Sequence, residues 1–373
     1  MKINQNRLIH TFTKLVSIDS PSRRERRMAD FLSAELRKIG FAVFEDDAGR
    51  KLGGDSGNLY AKWTAERRLP PLLFCAHMDT VRPAVGKQAV VDPCGTVRSA
   101  GDTVLGADDL SAVASILEAL RTVYESGARH RNIELLLTVS EETYCAGSAV
   151  FDFSNIAAKE AYVLDYEGAM GQAVIAGPTI FRFKAEIAGK AAHAGFAPEQ
   201  GVDAVAAAAR AVSRIKTGRV TSALTLNIGR IDGGLLTNIV PDHCTVEGEI
   251  RSSSHAAALA QAERVRKEFQ TACDALHARL IFSNDCLMQA YEISEDSPVL
   301  QRYFAVCRKR GYQTESVRTF GGSDNNILAA NGIDGVVIAS AMHACHSCAE
   351  HTSIRELTQL SEIVLDLMLD TEV

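Results

Sequence analysis

The run Leu72-Leu73-Phe74-Cys75-Ala76-His77-Met78-Asp79-Thr80-Val81 constrains this chain more than any other stretch. Its apolar half reads as a strand covered on both faces, the habit of a parallel sheet, and it gives way to a His-x-Asp pair. Open α/β sheets gather ligands beyond the carboxyl ends of their strands, so donors placed there are candidate site residues. The pattern recurs: Leu135 to Val139 runs into Glu141-Glu142, Tyr162 to Leu164 into Asp165, and Val336 to Ala339 toward His346. The expected fold is α/β and doubly wound, with nitrogen and oxygen donors delivered to one end of the sheet.

A length of 373 residues predicts two domains, and 46% hydrophobic with 23% charged residues describes a soluble globular chain. The formal net charge of -6 provides no basic field, so neither nucleic acid nor a membrane surface is an expected partner. The opening residues Met1 to Arg7 lack the apolar core of a secretory signal, and no run reaches the ~18 apolar residues of a membrane span, so the expected location is cytoplasmic. The nine scattered cysteines then read as reduced thiols. Cys345 and Cys348 make a CxxC spacing with no second pair to complete a zinc knuckle, and a packing role is expected of them. Arg23, Arg24, Arg26 and Arg27 read as the solvated face of an early helix.

Helical periodicity covers residues 6–16 and 22–38, the second stretch stopped by Gly40. Strands are expected over 41–47 and 58–63, separated by a loop from Gly49 to Gly54. A helix over 110–124 follows Gly106-Ala107-Asp108-Asp109 and ends at Gly127. From Thr179 the pattern changes: Phe181 to Ile187, Leu224 to Ile228 and Cys244 to Arg251 alternate apolar and polar, so these strands have one wet face. With helices over 200–216 and 254–275 and a strand near Arg279, they predict a two-layer α+β unit, residues 179–288. It is inserted into a discontinuous domain of residues 1–178 and 289–373.

Taken singly, Asp108 and Asp109 are helix caps and Glu141-Glu142 a solvated turn. Convergence changes that reading, because His77, Asp108, Glu142, Asp165 and His346 all fall at strand ends or at a helix start. Two histidines with three carboxylates make a mixed nitrogen and oxygen set that suits zinc, with cobalt or manganese as alternatives. If Asp108 bridges two ions, each receives one histidine, one terminal carboxylate and a shared oxygen, and a position stays open for water, the catalytic arrangement. Side chains of adjacent Glu141 and Glu142 diverge in extended backbone, so one can bind metal while the other accepts a proton. Asp79 lies two residues after His77, placed to orient the imidazole.

These motifs together, His77-Met78-Asp79, Gly106-Ala107-Asp108-Asp109, Glu141-Glu142, Leu164-Asp165 and His346-Ser347-Cys348-Ala349-Glu350, resemble the M20 family of dinuclear zinc peptidases and amidohydrolases, and within it the peptidase T-like tripeptidases. The resemblance implies two zinc ions per subunit, with His77 and Asp165 on one, Glu142 and His346 on the other, Asp108 bridging the two, and a cis peptide bond between Asp108 and Asp109. It implies Glu141 as general base and Asp79 as the residue orienting His77. His346 is preferred to His343 because its four-residue spacing to Glu350 fits the family. The inserted unit resembles the family's lid and dimerisation domain, which implies a homodimer in which His193 stabilises the oxyanion in the partner's active site. Asn238 and Arg251 match substrate-binding positions, and Gly321 and Gly322 would line the pocket with backbone amides. One departure is visible: Leu110-Ser111-Ala112 stands where many relatives have Lys-Ala-Gly after the paired aspartates.

The expected activity is metal-dependent hydrolysis of short peptides by an aminopeptidase, with N-acyl amino acid deacylase or carboxypeptidase as the alternative within the same chemistry. A non-catalytic metal-binding protein is disfavoured, because a closed structural site has no use for a spare base beside its ligands.

Overall fold

The computed structural model describes residues 1–65 and 69–369. Contacts divide these into two compact units, one of residues 1–175, 292–318 and 323–373 and one of residues 176–291 and 319–322. The second is slightly wider than the span read from the sequence. It also takes in Gly321 and Gly322, because Thr319 N bonds to Ala176 O and the Arg251 guanidinium to Phe320 O.

The first unit is built on a nine-stranded mixed sheet. Its main path runs Ala42–Glu45, Leu59–Trp63, Ile133–Thr138, Leu72–His77, Glu160–Glu167, Asp334–Ser340, Gln172–Gly177 and Tyr291–Glu292. Leu72–His77 and Ile133–Thr138 are buried at every position, as an apolar run without alternation requires. The chain leaves Leu72–His77, crosses through helix Ala107–Ser126 to Ile133–Thr138 on one side, then returns to Glu160–Glu167 on the other. That reversal of strand order makes the end of Leu72–His77 a topological switch point. Register does the rest: His77 lies level with Thr138, and Cys75 with Val163, so the residues just beyond each emerge together.

Two sequence expectations change here. Residues 48–52 form a short helix rather than a loop, capped at Gly53 with φ +70°. Strand Glu160–Glu167 continues past Leu164, so Asp165 lies inside it; a register shift opposite Val337 to Ala339 accommodates the residue without ending the strand. Helix Ala107–Ser126 is buried along nearly its whole length, packed by helices Gln5–Val16 and Ile354–Met368.

The second unit is a five-stranded antiparallel sheet in the order Gly218–Thr221, Leu224–Gly233, His243–Ser252, Thr179–Ala188, Arg279–Met288. Helices Ala204–Val212 and His255–Ala275 cover one face. Buried Ala204, Ala207, Ala208 and Ala211 recur at helical spacing, and small side chains let that helix approach the sheet closely. Phe183 is buried in the same core, and Gly248 opposite it has no room for a Cβ against the ring.

Candidate metal centre

Gly106 precedes helix Ala107–Ser126 with φ +79°, and a Cβ there would stand 2.9 Å from Thr80 Cγ2. The next turn departs from helical geometry at Asp108 and Asp109, and the bond between them is cis. Glu350 accepts the backbone N–H of Gly106 at 2.6 Å and of Asp108 at 2.8 Å, satisfying amides that a helix start leaves open. Held this way, Asp108 stands between two imidazoles: Oδ1 is 3.0 Å from His77 Nε2, and Oδ2 is 3.2 Å from His346 Nε2. His346 Nε2 lies 3.0 Å from Glu142 Oε2. Donor atoms of His77, Asp108 and Glu142 fall within 4.8 Å of one another, as do those of His77, Glu141 and Asp165. His343 is engaged elsewhere, its Nε2 2.7 Å from Glu356 Oε1.

Burial penalises the charged form of every acid in the cluster. It pushes Glu141 up to about 8, aided by Asp324 and Glu142. Asp165 and Asp109 are driven well above the carboxylate range, again by burial and then by their acidic neighbours. Asp108 goes the other way, because contacts with both histidines outweigh its burial. Asp108 and Glu142 hold His346 at about 10. Protons thus balance an excess of buried negative charge, the task a pair of cations performs. Two further observations fit cations: Glu142 Oε1 and Asp109 Oδ1 are buried without a hydrogen-bond partner among the described residues, and the donors combine imidazole nitrogen with carboxylate oxygen.

Asp79 differs from the sequence expectation. His77 Nδ1 lies 2.8 Å from the main-chain carbonyl of Asp79 and 3.6 Å from its carboxylate, so the carbonyl is the hydrogen-bond acceptor that orients the ring. The Asp79 carboxylate instead accepts Glu141 N at 2.9 Å, Glu142 N at 3.3 Å and the Ser22 hydroxyl at 2.7 Å. It fixes the turn that carries both glutamates.

The remaining predicted residues lie in the second unit. His193 is exposed, and its Nδ1 accepts the backbone N–H groups of Gly195 and Phe196, at 3.1 and 3.2 Å. The ring proton is therefore assigned to Nε2, which is free to donate. Asn238 is exposed and its carbonyl accepts Ala194 N, tying its loop to that of His193. The Arg251 fork is already filled: it pairs with both Glu249 oxygens, at 2.6 and 3.2 Å, and donates to Phe320 O at 2.9 Å. Gly321 N donates to Thr319 Oγ1 at 2.9 Å, so it is not the unengaged amide that the sequence suggests. A Cβ on Gly322 would run into Met288 Sδ.

Three acids escaped the sequence reading. Glu350 served there only as a spacing marker for His346. Asp324, buried at the start of helix Asp324–Ala330, accepts Thr138 Oγ1 at 2.6 Å and Ser148 Oγ at 2.5 Å and lies beside Glu141 and Cys145. Glu25 is fully buried although four arginines surround it in sequence. Charge patterning marked that segment as solvent-facing, and no local signal distinguishes its one inward acid.

Residues 178–279 match the peptidase dimerisation domain of the M20 peptidases, and residues 58–195 match peptidase family M28. The structure is similar to that of aminopeptidase PepT from Bacillus cereus, with a TM-score of 0.89, 34% identity and 98% of each chain covered. A tripeptidase from Staphylococcus aureus superposes with a TM-score of 0.94 at 31% identity, over 99% of this chain and 98% of that one. Carboxypeptidase G2 of a Pseudomonas species is 32% identical over 66% of this chain and 60% of its own length.

Proposed function

This chain belongs to the M20 family of dinuclear metallopeptidases and is similar to its peptidase T-like members; on that premise we propose an aminopeptidase that releases the N-terminal residue of short peptides, tripeptides foremost. It is a hydrolase of peptide bonds. The observation that carries the reading is one cluster: Asp108 shared between His77 and His346, with Glu142 and Asp165 flanking them and Glu141 left beside them.

His77, Asp108 and Asp165 would hold one ion, and His346, Asp108 and Glu142 the other, with zinc as the expected metal and cobalt or manganese as substitutes. When bound, the ions supply Lewis acidity for the scissile carbonyl and acidify water. Glu141 takes the proton of the attacking water on its carboxylate and returns it to the departing amine; burial, which favours its protonated form, suits it to both transfers. Asp79 keeps Glu141 in place through its backbone amide. His193 of the partner subunit donates Nε2–H to the oxyanion, so the active form is a homodimer built through the second unit. Asn238 and Arg251 meet substrate polar groups, a carboxylate reaching Arg251 only by competing with Glu249, while Gly321 and Gly322 line the site. The enzyme works in the cytoplasm, where free cysteines stay reduced.

Similarity to carboxypeptidase G2 favours a second reading, carboxypeptidase action by the same centre. Metal-stripped protein titrated with zinc, cobalt or manganese and given tripeptides, dipeptides and N-acetyl amino acids separates the two. Metal-dependent release of the N-terminal residue supports the aminopeptidase; release of the C-terminal residue, or cleavage of acyl amino acids alone, replaces it. Glu141→Gln is expected to lower turnover by ~100-fold or more while metal content persists. Wild-type turnover in that variant would remove Glu141 from the mechanism.

A further inference from the structure

We infer that Glu25 is a positioning residue for catalysis, acting on the turn that carries Glu141. The inference rests on the proposal that Glu141 moves the proton. The turn from Ser140 to Cys145 is unusual, because Ser140, Tyr144 and Cys145 all have positive φ, at 52°, 63° and 52°, without being glycine. L-residues in that region cost about 1–3 kcal/mol each and persist only where surrounding structure holds them. Backbone bonds within the turn hold its far end, Cys145 N on Glu141 O and Ala146 N on Ser140 O, and two buried carboxylates hold the Ser140–Glu142 end. Asp79 grips the amides of Glu141 and Glu142. Glu25 grips the residue before them: its Oε1 accepts Ser140 N at 3.0 Å, Ser140 Oγ at 3.2 Å and Arg23 N at 2.8 Å.

A second strand of the clamp closes it, since Arg23 N also lies 3.1 Å from Ser140 Oγ and Ser22 Oγ bonds to Asp79. Residues 22–25 therefore hold Ser140 directly and the Glu141–Glu142 amides through Asp79. Glu25 is fully buried, stands just ahead of helix Arg26–Ile39, and leaves Oε2 without a partner among the described residues. A buried acid in so costly a setting is poorly explained by stability alone, because an apolar side chain would avoid the desolvation. What an apolar side chain cannot supply is one oxygen on which the Ser140 amide, the Ser140 hydroxyl and the Arg23 amide converge. Loss of that point lets Ser140 relax from positive φ and displaces Glu141, and misplacement by about 1 Å can cost 100-fold in rate.

The test compares Glu25→Ala, Glu25→Gln and Ser140→Ala in the full-length, zinc-loaded enzyme with a tripeptide substrate. Glu25→Ala is expected to lower kcat by about tenfold or more, with KM within about twofold and zinc content unchanged. Glu25→Gln keeps a carbonyl oxygen for the same donors and restores kcat to within about threefold of wild type. Should Glu25→Ala not fold, Ser140→Ala carries the decision: it removes only the hydroxyl and is expected to lower kcat by about threefold at constant KM. Unchanged kcat in folded Glu25→Ala, or in Ser140→Ala if that variant alone folds, overturns the inference. So does equal loss in the Ala and Gln variants. A Glu141→Gln enzyme with full turnover would instead overturn the reading on which the inference rests.

Discussion

Replacing Asp79 by Ala separates the role found in the structure from the one its position beside His77 suggests. The carboxylate accepts Glu141 N at 2.9 Å, Glu142 N at 3.3 Å and Ser22 Oγ at 2.7 Å, in a fully buried position. A buried donor left without its acceptor costs ~1–3 kcal/mol. The half-buried Ser22 hydroxyl can turn to another acceptor, the Glu141 amide cannot, and the longer Glu142 contact counts in part. The expected loss is about 2–4 kcal/mol for Asp79→Ala and about half that for Asp79→Asn, which keeps one acceptor oxygen. Urea unfolding of the metal-free protein measures it. His77 is expected to keep its proton on Nδ1 in both variants, because its acceptor is the main-chain carbonyl, which no substitution removes. Imidazole nitrogen NMR reads that directly. A loss below ~1 kcal/mol, together with a shifted His77 signal, would refute the argument and return the carboxylate to the histidine.

Stability should depend on pH through Glu25, whose carboxyl burial pushes from 4.5 up to about 7. Between those values the native state keeps a proton that the unfolded state has lost, so unfolding free energy falls as pH rises, by ~3 kcal/mol across the window. Glu25→Gln should remove that part of the slope when metal-free proteins are unfolded in urea at pH 4 and pH 8; parallel slopes would contradict the buried placement. Zinc should stabilise the fold by about 2.7 kcal/mol at 100 times its dissociation constant, seen as a rise in Tm that His346→Ala diminishes. A Tm indifferent to zinc would mean that the cluster does not bind it.

Much of this protein is determined by sequence alone. Short apolar runs without alternation, bounded by turn residues, fit strands covered on both faces, so Leu72–His77 and Ile133–Thr138 point to an α/β sheet, and alternation beyond Thr179 points to a sheet with one wet face. The donor residues were legible for the same reason, since His77, Asp108, Glu142, Asp165 and His346 each sit where a local pattern stops or breaks. What tertiary structure decided is which atoms meet. Asp79 stands two residues from His77, yet its carboxylate turns to amides 62 and 63 residues away, because parallel register brings the ends of the two strands together. Glu25 lies among arginines in a segment that reads as solvated, and only packing of the chain ahead of helix Arg26–Ile39 against Ser140 buries it. Arg251 offers a free fork in sequence and a filled one in the fold, because strand geometry sets Glu249 on the same face two residues earlier. Periodicity is a property of neighbours along the chain; hydrogen-bond partners are chosen across it.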